Sequence, residues 1–100
     1  MKIPDGYTNE KADKYKAFFT ATKGVSAWTA AKVLTRIVKG VDFRGVSKSD
    51  IAKSICDETY PCLIGLRLDV LKDEIQKEVS YRESVDALVN RINRIGPRHS

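Results

Sequence analysis

Lysine and arginine spacing gives this chain its clearest chemical lead. Lys32, Arg36 and Lys39 stand at i, i+4 and i+7, so a helix through them sets three cations in one line. Lys23 before the line and Arg44 after it could extend it. Flexible cations in this arrangement suit phosphate oxygens, and phosphate contacts need no base-reading side chain. Trp28 lies near the start of the line, where an indole could stack on a base. A lone tryptophan in a small bundle more often belongs in the core, and the core is where Trp28 is expected. The plainer account of the whole stripe is a solvated helix back.

Two functions from different classes follow. The leading expectation is a small non-enzymatic binding protein that contacts nucleic-acid phosphates through Lys23, Lys32, Arg36, Lys39 and Arg44. The alternative is a regulator or inhibitor that occupies a partner protein's surface, an acidic one if the same stripe is used. Asp69, Asp73, Gln76 and Lys77 form a polar face next to Lys72 and Glu78, and its mixed charges favour a protein contact or plain solvent over a polyanion. Replacing Lys32, Arg36 and Lys39 by Gln is expected to leave the fold intact, at a cost within about 0.5 kcal/mol each.

Composition and inventory remove other classes. The 100 residues are 42% hydrophobic and 31% charged, which is ordinary for one globular domain. Residues 1–46 hold nine bases against four acids and residues 47–100 hold nine of each, so the whole net charge of +5 falls in the first half. A one-sided positive potential attracts polyanions or acidic surfaces. Zinc needs about four Cys or His ligands, whereas the chain offers Cys56, Cys62 and a single histidine, His99. No glycine-rich phosphate loop and no nucleophile beside a histidine base are present. Neither an enzyme, a metal, a cofactor nor a small-molecule substrate is therefore expected. With no long apolar run and no signal-like start, a soluble cytoplasmic protein without membrane contact is expected. Both thiols should then be reduced, buried and unreactive.

A helix-turn-helix fits poorly. Ser47 to Lys53 could open one, but Cys56 and Asp57 stand where glycine and an apolar residue are preferred. The segment from Pro61 to Leu68 carries one cation and no amide or hydroxyl for base edges.

The elements that must position these residues are helical. Thr8 or Asn9 caps a first helix running to about Lys23, with Ala12, Tyr15, Phe19 and Thr22 on one face. Ser26 caps a second, which ends at Gly40, and Val41 to Val46 forms a loop in which Phe43 plugs the core. Ser47 begins a third helix, with Ile51, Ala52, Ile55 and Cys56 inward. Pro61 suits the first turn of a fourth, running to about Val79, although residues 66–70 alternate at period two and could begin as a short strand. Ser80 and Glu83 match a capping box and predict a fifth helix from about Tyr81, stopped by Gly96 and Pro97. The expected fold is an all-α compact single domain of about five helices, with mobile ends near residues 1–7 and 97–100. Phe19, Leu34, Ile37, Ile55, Leu68, Leu71, Leu88 and Ile92 should form its core.

Overall fold

The computed structural model describes residues 3–95, the last of them by its backbone alone. Four α-helices and one 3-10 turn make up the described residues: α1 (Asn9–Ala21), α2 (Ala27–Ile37), α3 (Lys48–Asp57), the turn Pro61–Leu63, and α4 (Leu68–Ile95). The all-α class is as the periodicity predicts. The proposed stop at Gly96 and Pro97 and the tail at residues 97–100 lie outside the described residues.

Hydroxyl caps start three of the helices. Thr8 Oγ1 accepts the Lys11 amide at 3.3 Å, Ser26 Oγ the Thr29 amide at 3.1 Å, and Ser47 Oγ the Asp50 amide at 3.1 Å. Each bond occupies a backbone donor that the first turn of a helix leaves without a partner. The α1–α2 corner is held by Lys48, whose ammonium donates to the carbonyls of Thr22 at 2.8 Å and Val25 at 3.1 Å. A cation is well placed there, because the carbonyl end of a helix is the negative end of its dipole.

Phe18, Leu34, Ile51, Ile55, Leu63 and Leu71 are fully buried where α1, α2, α3 and the first half of α4 meet. Phe43 joins them from the α2–α3 loop, with its amide held by Thr35 Oγ1 at 2.9 Å. Phe19, Ile37 and Leu68 are half-buried against this cluster. At the chain's start, Ile3 and Tyr7 also pack on it.

Two expected elements are corrected. Pro61 opens only a single 3-10 turn, because Ile64 is extended with a ψ of 123° and Gly65 then takes a φ of +84°, a left-handed conformation that turns the chain away. Residues 66–70 contain no strand; α4 starts at Leu68 within them. The fourth and fifth helices are then one. The 28 residues of α4 contain no Gly or Pro, so Ser80 lies inside a continuous helix rather than at a cap.

The merged helix is too long for the body. At about 1.5 Å per residue it spans about 42 Å, and its second half runs beyond the other helices. Every described side chain from residue 80 to residue 94 is exposed. The described chain measures 62 × 28 × 22 Å with a radius of gyration of 17.1 Å, against about 13 Å for a compact domain of this size. Leu88 and Ile92, expected in the core, are 54% and 53% exposed on this arm. Their side chains follow a core-like pattern, but no other element of the described chain reaches them.

Candidate functional site

The basic stripe meets a complementary line of carboxylates. α2 and α4 run antiparallel, so Lys32 and Arg36 face Glu78 and Glu74. Arg36 Nη1 donates to Glu78 Oε1 at 3.2 Å, and its Nη2 lies 3.8 Å from Glu74 Oε2. Lys32 Nζ stands 3.5 Å from Glu78 Oε2, close enough for an ion pair, though that oxygen accepts no hydrogen bond. Glu78 is only 5% exposed, so these two cations compensate a carboxylate taken out of water. The spacing within α2 shows the cations but not the acids opposite them. The available signal was the matching spacing: Glu74 and Glu78 are four apart on one helix, as are Lys32 and Arg36 on the other.

The five predicted cations do not converge. Arg44 is held locally by Asp42, through Nε at 2.9 Å and Nη2 at 2.7 Å. That bidentate contact keeps the Asp42 carboxyl at about 2, well below its usual value. Lys39 is exposed just beyond the end of α2, and Lys23 is exposed just before its start. Lys32 and Arg36 lie between them on the flank that faces α4.

Trp28 is not in the core. It is 50% exposed where the α4 arm leaves the body, with Lys32 Nζ 5.2 Å and Arg82 Cζ 5.5 Å from its ring centroid. Two cations near one indole hold it by the attraction of positive charge to the ring face. Beyond this junction Tyr81, Val85, Leu88, Val89 and Ile92 follow along the arm, all exposed. Positions 81, 85, 88 and 92 step by four, three and four, so they form one stripe, with Val89 on its shoulder. The stripe continues the side of α4 that carries Glu74 and Glu78, which face the cations of α2. Periodicity alone places Leu88 and Ile92 inward, since it reports an apolar face and not what lies against it.

The two cysteines differ. Cys56 is buried on α3, and burial pushes its thiol pKa up. Cys62 is exposed, contrary to expectation, because the 3-10 turn directs Leu63 inward in its place. Among the described residues no three His, Cys, Asp or Glu side chains form a group able to hold a metal ion. No helix among them is long and apolar enough to cross a membrane. Compared with known proteins, the chain matches no family model, no curated protein and no solved structure.

Proposed function

We propose that this is a non-enzymatic protein-binding module that works by occupying a partner's surface with the α4 arm. One observation carries the proposal: five large apolar side chains, Tyr81, Val85, Leu88, Val89 and Ile92, stand exposed on a helical arm that leaves the body. Singly exposed apolar residues are common, but a contiguous stripe of them is an interaction surface or an aggregation hazard. A helix face with this spacing fits a groove or another helix. The arm is also marginal by itself. Most helical stability in a protein comes from packing of the apolar face, which the arm lacks, and burial of the stripe would supply it.

Phosphate binding has less support. Lys32, Arg36 and Arg44 are already matched by Glu78, Glu74 and Asp42, and releasing them for phosphates would break those pairs. The experiment is photo-crosslinking in cells, with a photoreactive phenylalanine analogue in place of Leu88. A discrete protein adduct that disappears with Ile92→Glu is the expected result. Absence of any protein adduct, together with tight, salt-sensitive oligonucleotide binding by the purified chain, would return the function to nucleic acid.

A further inference from the structure

We infer that the partner of the α4 arm is a second copy of this chain, docked antiparallel so that the two arms cover each other's stripes. The inference rests on the protein-binding reading above and names its occupant. The step pattern of 81, 85, 88 and 92 is that of a helix that packs against another helix, where four-three spacing keeps the seam facing its partner. A stripe of this kind is complementary to itself under a two-fold axis.

Area supports a second copy. The exposed parts of Trp28, Tyr81, Val85, Leu88, Val89 and Ile92 amount to roughly 600 Å² per copy, so complete cover of both sets removes about 1,200 Å², the lower limit of stable specific interfaces. Two arms alone would fall short of that. Trp28 makes up the difference, because it stands at the root of one arm where the tip of the other arrives.

Direction follows from what already covers α4. Up to Glu78 the stripe side of the helix is faced by Lys32 and Arg36 of α2, and Trp28 reaches on to Arg82. Parallel arms would bring two bodies to the same end, with the α2 helices driven into each other. Antiparallel arms place the bodies at opposite ends, and each arm fills the length that α2 leaves open. Ile92 then meets Val85 of the other copy, and Leu88 and Val89 meet their own counterparts at the two-fold axis.

The shoulders of the stripe agree. Val89 lies on one shoulder, and antiparallel helices set like shoulders together, so its apolar surface is covered by its own copy. Arg91 lies on the other shoulder, level with the small side chains of Ser84 and Ala87 across the pair.

The test uses the full chain. Sedimentation equilibrium should show the mass rising with concentration toward twice 11.2 kDa, with helicity rising in step. Leu88→Glu should remain monomeric while its body unfolds as cooperatively as the unmodified protein does. Direction is read by oxidation in a Cys62→Ser background. Val89→Cys should cross-link to itself, because residue 89 meets its copy, whereas Tyr81→Cys should not, its copies being roughly 20 Å apart. Cross-linking through position 81 and not 89 would overturn the antiparallel geometry. A chain monomeric at all concentrations would overturn self-association altogether. In that case an adduct of position 88 to a different protein would leave the protein-binding reading standing.

Discussion

Single side chains set two measurable properties of the body. Tyr7 donates its phenol to Asp57 Oδ2 at 3.1 Å, and partial burial together with that carboxylate raises its pKa from 10.0 to about 12. Below pH 10 the folded and unfolded chains both hold the proton, so the contribution of Tyr7 to stability is complete. Between 10 and 12 the unfolded chain loses the proton first, and stability must fall across that window. Denaturant midpoints taken at rising pH should show the decline, and Tyr7→Phe should flatten it. Glu58 is the second case. It ends α3 at a φ of 52°, a left-handed conformation that costs a side-chain-bearing residue about 1 kcal/mol. Glu58→Gly should therefore stabilise the protein by about 0.5–1 kcal/mol in a urea titration, since its 3.7 Å ion pair with Lys14 is exposed and contributes little.

At the level of elements, α2 and α4 are joined by charge as well as by apolar packing. Glu78 is buried, so removing its cations strands a carboxylate away from water. Lys32→Gln combined with Arg36→Gln should cost about 1–3 kcal/mol, below the value for fully buried pairs because both cations are half in solvent. This exceeds the small surface effect expected when the same residues are read as a solvated helix back. Local signals served well for the hydroxyl caps of α1, α2 and α3 and for the inner face of α3, but on α1 the fully buried aromatic is Phe18 rather than the expected Phe19. They failed where the outcome depended on distant contacts. Ser80 and Glu83 have the composition of a cap, yet nothing before them interrupts the helix, so the motif is inert. The apolar positions do change phase near residue 80, from Leu68, Leu71 and Ile75 to Tyr81, Val85 and Leu88. The phase change marks a change of partner within one helix rather than a new helix. Alanine substitutions should separate the two halves. Leu71→Ala should cost about 2–5 kcal/mol, and Leu88→Ala less than about 0.5 kcal/mol at concentrations where the protein is monomeric.

Across the whole molecule, a packed body at one end and a bare arm at the other should not melt as a unit. The arm makes no contact with the core, so its helix can fray while α1, α2 and α3 stay folded. The chain contains one tryptophan, Trp28, and it stands at the junction, within reach of the Arg82 guanidinium on the arm and of Lys32 on the body. Its emission therefore reports on how the arm is seated and says little about the core. A thermal melt of dilute protein followed by tryptophan fluorescence should precede the same melt followed by tyrosine absorbance, since Tyr7, Tyr15 and Tyr60 pack on the body and Tyr81, on the arm, is already exposed. Coincident curves would mean that arm and body unfold together. The indole is in this sense a built-in optical gauge of the joint between the two parts.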